Sequence, residues 1–299
     1  KSMFLAQFFN FNCKSREKVN VIKDLRLPRI IVALFAGAAL AVSGALLQAV
    51  VRNPLAEAGI IGVSAGAAFM TILLLSIFPT LFFWSPLFAF LGGALAFLLV
   101  YSLSWKSGLN PLRLILVGVA INALFTGLSE LFDYRGSYAV TSVSRATTST
   151  LTMKTWGDVQ IVVIYVSIGL VLALLLTVWC NLLLLQDKTA FNLGLHVSWA
   201  RLIISAVAIL LAAVATSIAG VIAFIGLIVP HIGRLIVGSD YKLLIPFSAL
   251  AGSLLILTAD TLGRTIIPPN EIPASIIMAI IGGPFLIFLL RKSEQVYGT

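Results

Sequence analysis

Few side chains in this 299-residue chain are of types that do chemistry, and their spacing excludes most of it. A P-loop needs a G-x-x-x-x-G-K-[ST] run, whose backbone N–H groups and lysine surround nucleotide phosphates, and the sequence has none. His196 and His231 are the only histidines, so no H-E-x-x-H pair can hold zinc. Cys13 and Cys180 lie far apart, without metal-ligand spacing or the even, close-set pattern of a disulfide framework. Serines are plentiful, but no G-x-S-x-G nucleophile elbow is expected among them. The remaining candidates are ionisable groups beside apolar runs, which are functional suspects in a membrane. Glu130 and Asp133 close one run near Arg135, while Asp260 and Arg264 stand four apart and share a helix face, where they can pair. A proton- or sodium-coupled carrier calls for an acid in mid-run, and no run carries one. The side chains therefore point away from an enzyme and from metal binding, and leave transport and docking.

The elements that would position these groups are set by composition. Hydrophobic residues make up 60% of the chain and charged residues 10%, with a mean hydropathy of +1.08. A soluble domain averages about 45–50% apolar and roughly 25% charged, and its surface could not absorb such an excess. Apolar runs cover 28–51, 60–78, 81–105, 112–132, 159–185, 202–229, 243–263 and 272–290. Each approaches the roughly 20 residues that a helix needs to cross hydrocarbon. Without water for the backbone, such runs must be helices or protein-buried re-entrant segments. The alternating polarity of barrel strands is missing. The expected fold is an all-α, polytopic membrane protein in one transmembrane domain over 1–299, with about nine to ten spanning helices, broken or re-entrant segments included.

Three local patterns refine that expectation. Ala33, Gly37, Ala41 and Ala45 recur every four residues, a small-residue stripe that lets another helix approach closely. Gly220, Gly226, Pro230 and Gly233 interrupt a run and predict a broken helix, and Gly282-Gly283-Pro284 predicts a second division within 272–290. The net charge of +9 is spread through short loops, which argues against nucleic acid. Of the 20 Lys and Arg residues, nine (Arg52, Lys106, Arg113, Lys188, Arg201, Arg234, Lys242, Arg291 and Lys292) fall on one side and eleven on the other. The positive-inside rule therefore sets no orientation, and the basic second face asks for an acidic partner.

Seven segments resemble the FecCD family of permeases, which serve importers of iron-siderophores, haem and cobalamin. They are LRLPR at 25–29, GAALAVSGALLQAVVRNPLAEAGIIGVSAGAA at 37–68, PLRLILVGVA at 111–120 and TAFNLGLHV at 189–197. They continue with AGVIAFIGLIVPHIGRLIVGSDYKLLIPFSAL at 219–250, ADTLGRTI at 259–266 and EIPASIIMAIIGGPFLIFLLRK at 271–292. Family members carry ten spanning helices, the first upstream of LRLPR, so the resemblance implies that this helix is missing from the present sequence. Residues 1–12 are apolar and aromatic but too short to span.

The resemblance also implies an orientation and a set of sites. LRLPR and the end of ADTLGR face outward, whereas NPLA, the 106–113 loop and TAFNLGL face the cytoplasm of a bacterial cell. Arg26, Arg29 and Arg264 match positions that meet acidic residues on a substrate-binding protein, chemistry suited to the bidentate guanidinium fork. Thr189, Ala190, Phe191, Leu193 and Gly194 match the segment that seats in an ATPase subunit and couples it to the permease. Asn53, Leu55, Pro111 and Leu112 match a cytoplasmic gate. The implied assembly has a second permease (identical or homologous), two ATPase subunits holding ATP and Mg, and a binding protein outside. No cofactor is expected in this chain. The cargo expected from the family is a ferric siderophore, with haem or cobalamin as alternatives and an ion-coupled carrier as the rival from another class.

Overall fold

The computed structural model describes residues 22–104, 111–134, 151–267 and 270–297, with the side chains of 22, 111, 112, 132–134, 290 and 292–297 left aside. Among these residues every regular element is a helix, and there is no strand. The expectations about residues 1–12, Cys13, Lys106 and Arg135, and about the Asp133 and Lys292 side chains, fall outside this description.

A π-helical turn at Ile22–Arg26 leads into α1 (Leu27–Val51), with Pro28 in the first turn, where its missing N–H costs nothing. Then follow α2 (Val63–Ile77), a 3-10 turn (Pro79–Trp84), α3 (Ser85–Ser104) and α4 (Pro111–Tyr134). Next are α5 (Trp156–Leu175), α6 (Thr177–Leu183) and the short α7 (Asp187–Asn192). The chain ends with α8 (Val197–Ala219), α9 (Ile225–Val237), α10 (Tyr241–Thr265) and α11 (Ala274–Tyr297). Six described segments are long and apolar enough to cross a bilayer, and α2, α9 and the apolar part of α11 are shorter apolar helices. That matches the all-α polytopic class expected from the runs.

α1 is the hub. It is buried along most of its length, with α8, α9, α10 and α5 around it. Lipid tails are as apolar as leucine, so packing of small residues and interhelical hydrogen bonds must hold such helices together. The small-residue stripe does this. A Cβ on Gly37 would run into the Gly252 carbonyl of α10, and one on Gly252 would meet Gly37 and Ala41 in return. Two turns beyond Gly37, Gly44 lies against the Gly226 backbone of α9. Ser43 Oγ donates to the Ala208 carbonyl at 2.7 Å, Ser253 Oγ to that of Leu34 at 2.7 Å and Gln48 Nε2 to that of Gly226 at 3.0 Å. Interhelical bonds of this kind contribute about 0.6 kcal/mol each.

The expected breaks divide two ways. The run at 202–229 is broken at 220–224: Gly220 caps α8 at φ 78°, and Phe224 starts α9 at φ 71°. Pro230, by contrast, lies inside α9. The division expected at Gly282-Gly283-Pro284 does not occur, since α11 runs through it without interruption. Gly282 serves packing there, because any Cβ would strike the Phe224 ring, and a single proline is tolerated in a membrane helix where its neighbours cover the freed carbonyl.

Candidate functional site

Polar chemistry gathers at the two ends of the antiparallel α1–α10 pair. At the first end, Arg29 in the opening turn of α1 reaches across to α10. Its Nε and Nη2 donate to the Asp260 carboxylate, the shortest contact being 2.7 Å, and its Nη1 donates to Glu271 at 2.8 Å. Arg264, one turn beyond Asp260, approaches the same carboxylate at 3.4 Å, so the i,i+4 pairing expected from the sequence is present but secondary. Thr152, ahead of α5, donates to Glu271 at 3.1 Å. Asp260 is 3% exposed and the Arg29 side chain 12%. Partial burial pushes the Glu271 carboxyl up, yet hydrogen bonds from Arg29 and Thr152 and the charges of Arg29 and Arg264 outweigh it. Glu271 is held below the usual carboxylate range. The three arginines expected to dock a partner therefore differ: Arg26 is exposed on the π-helical turn, Arg264 is half-buried, and Arg29 is occupied by internal carboxylates.

At the other end lies the TAFNLGL segment. Its first four residues complete α7 and the next three turn away from it, and the sequence explains the shape. Gly194, at φ 88°, takes the left-handed position after the helix that favours glycine. Leu195 N–H then reaches back to the Ala190 carbonyl at 3.1 Å and Gly194 N–H to that of Phe191 at 2.9 Å, the two bonds of a Schellman ending. Ala190 and Leu195 are buried beneath the turn, while Thr189, Phe191, Leu193 and Gly194 face outward. Phe191 at 63% and Leu193 at 61% exposure form a small apolar knob, with His196 edge-on to Phe191.

Arg52 ties this knob to the hub helix, a role the sequence reading did not assign. It ends α1 in the left-handed conformation, donates to the carbonyls of Leu183 and Leu185, and contacts Asp187 at 2.7 Å. Asp187 also receives Arg201 at 3.0 Å. Beside them, the NPLA loop begins with an Asx turn: Asn53 is buried and its Oδ1 accepts Leu55 N–H at 2.9 Å, with Leu55 half-buried. Pro111 and Leu112 open α4, and their side chains lie outside the described residues.

Glu57 is the second residue that sequence reasoning passed over. It lies between two apolar runs, so no search for an acid in mid-run reaches it. The structure folds that loop inward, leaving Glu57 3% exposed with its carboxylate accepting the Phe224 N–H at 3.1 Å. The acid thus caps the start of α9, where free N–H groups and the helix dipole favour negative charge, and it fixes the strained Phe224. The letters G-x-S-x-G also occur, at Gly62–Gly66, contrary to the sequence reading. Ser64 there is buried at the start of α2 with no strand before it, so the letters do not make a nucleophile elbow.

Comparison with known proteins decides what this arrangement belongs to. The model of the FecCD transport family matches residues 2–292. The chain belongs to the FecCD transport family. It is therefore a multi-pass membrane permease of the ABC transporter type. Proteins described as probable heme-iron transport system permease protein IsdF, from Staphylococcus aureus strains bovine RF122 and Newman, are each 45% identical over 295 residues. The alignments cover 99% of this chain and 89% of each relative. A solved structure described as an inward-facing conformation of a putative metal-chelate type ABC transporter superimposes with a TM-score of 0.78 at 33% identity, covering 93% of this chain and 89% of that one.

Proposed function

We propose that this permease forms half of the translocation path of an ATP-driven importer for an iron-bearing chelate, with haem as the first-choice cargo. The observation that carries the importer reading is the exposed α7 knob. Phe191 and Leu193 present bare apolar surface on a capped, rigid turn, as a helix seating in a partner's groove requires. Two ATPase subunits bearing ATP and Mg would engage that knob on this permease and on a second one. Arg52 would pass movement of α7 to the end of α1 and to the Asn53–Leu55 turn, which with Pro111 and Leu112 would gate the cytoplasmic side. Outside, Arg26 and Arg264 would meet carboxylates of a binding protein, and complementary charge would set the register. Arg29 would join them only by giving up Asp260 and Glu271. ATP would drive the cycle only through states that it binds unequally.

Haem is placed first because the named relatives at 45% identity are described as heme-iron permeases. A ferric siderophore is the second reading, favoured by the metal-chelate description of the solved neighbour. ATPase activity of the complex reconstituted in lipid, with its binding protein loaded with haem or with a ferric siderophore, tests both. Stimulation by the haem-loaded form alone is expected. Stimulation only by the siderophore-loaded form would reverse the order, and an iron chelate carried with no ATPase partner would sink the importer reading.

A further inference from the structure

We propose that the groove between α3 and α8 at the Asp187 end binds one anionic phospholipid, its phosphate on Arg201 and an acyl chain along Phe97, Leu98 and Leu202. The groove is a cavity of about 440 Å³, and Val50 of α1 closes its back. Its walls are apolar apart from Arg201, Ser198, Ser205 and the Tyr101 hydroxyl.

Charge complementarity selects the ligand. Asp187 is shared by two guanidinium groups, Arg52 at 2.7 Å and Arg201 at 3.0 Å, so one positive charge is left over before exposed Lys188 is counted. Arg201 is 14% exposed, and its Nε is buried without an acceptor. A buried donor left unmade is costly, and a phosphate oxygen satisfies it in the planar geometry that suits arginine.

Position selects a lipid over a soluble anion. Leu87, Leu91, Leu95 and Leu98 form an exposed stripe down α3 that ends at the groove. Leu202 and Trp199 stand exposed on the opposite lip. The site lies where α3 ends and α8 begins, and tryptophan and tyrosine favour that interfacial depth. Basic pockets between helices at this depth take lipid headgroups. Because Arg201 also holds Asp187, the first residue of α7, an occupied groove would bear directly on the α7 knob.

The test uses the purified full chain in detergent, stripped of lipid and then offered phosphatidylglycerol or phosphatidylcholine, with retained lipid read by native mass spectrometry. Wild type is expected to keep one phosphatidylglycerol with about fivefold preference over phosphatidylcholine, the discrimination one guanidinium supplies near a bilayer surface. Arg201→Gln should lose the preference. Leu202→Trp, which fills the groove and leaves both ion pairs intact, should lose retention and keeps the test decisive if Arg201→Gln fails to fold. No headgroup preference in wild type, or undiminished retention in Leu202→Trp, overturns the proposal. So does a photo-crosslinker at Leu98 that captures protein in place of lipid in native membranes.

Discussion

Arg29→Gln isolates the ion cluster that joins α1 to α10. The substitution leaves Asp260 3% exposed, with only the 3.4 Å contact from Arg264 to offset its charge. Breaking a buried pair by removing one partner costs about 3–5 kcal/mol. Arg264 places the expected loss near the lower limit, at about 3 kcal/mol. Removing both charges in Arg29→Gln/Asp260→Asn abolishes the uncompensated carboxylate, so the double variant should be more stable than Arg29→Gln alone. Glu271, already 39% exposed, can turn to water in both variants. Arg264→Gln should cost less, about 1 kcal/mol or below, because Arg29 keeps Asp260 satisfied. Equilibrium unfolding in mixed micelles, run as a double-mutant cycle, reads these terms directly. If the double variant falls to the sum of the two singles, Arg29 and Asp260 are not coupled and the assignment of Arg29 to an internal pair is wrong. The same outcome would return Arg29 to the docking surface beside Arg26.

Three further outcomes follow from single contacts. Gly44→Ala sets a methyl group against the Gly226 backbone, so overpacking of about 1–3 kcal/mol should appear as a lower melting temperature and poor yield of folded chain. Phe191→Ala should leave melting unchanged, because the ring is exposed, yet weaken association with the ATPase subunit at least tenfold in pull-down titrations, as an apolar anchor does. Glu271 is held low in the folded state, so its contribution is complete above the ordinary carboxylate range and is lost as pH falls through the depressed value. Melting curves between neutral and acidic pH should therefore converge for wild type and Glu271→Gln at the acid end, and identical curves throughout would refute the Arg29–Glu271 contact.

Much of the architecture was legible from local signals. Apolar runs long enough for hydrocarbon dictated helices, since backbone groups in a bilayer have no other partner. The Ala33–Ala45 stripe announced close packing because a missing side chain is visible in the sequence itself. The TAFNLGL segment was legible through its resemblance to the family's coupling segment. Asp260 and Arg264 were readable as partners because four residues bring them to one helix face.

Tertiary structure alone decided which partner wins. Arg29 and Asp260 are 231 positions apart, and only the antiparallel crossing of α1 and α10 lets Arg29 displace Arg264 as the main holder of the carboxylate. Glu57 reads as an ordinary loop acid until the loop folds inward and offers it the N–H of Phe224, 167 positions later. Gly282 reads as a helix breaker until the Phe224 ring is seen to need its space. In each case the deciding contact lies between segments whose separation sequence spacing does not encode, because helix periodicity fixes neighbours one turn away and packing fixes the rest.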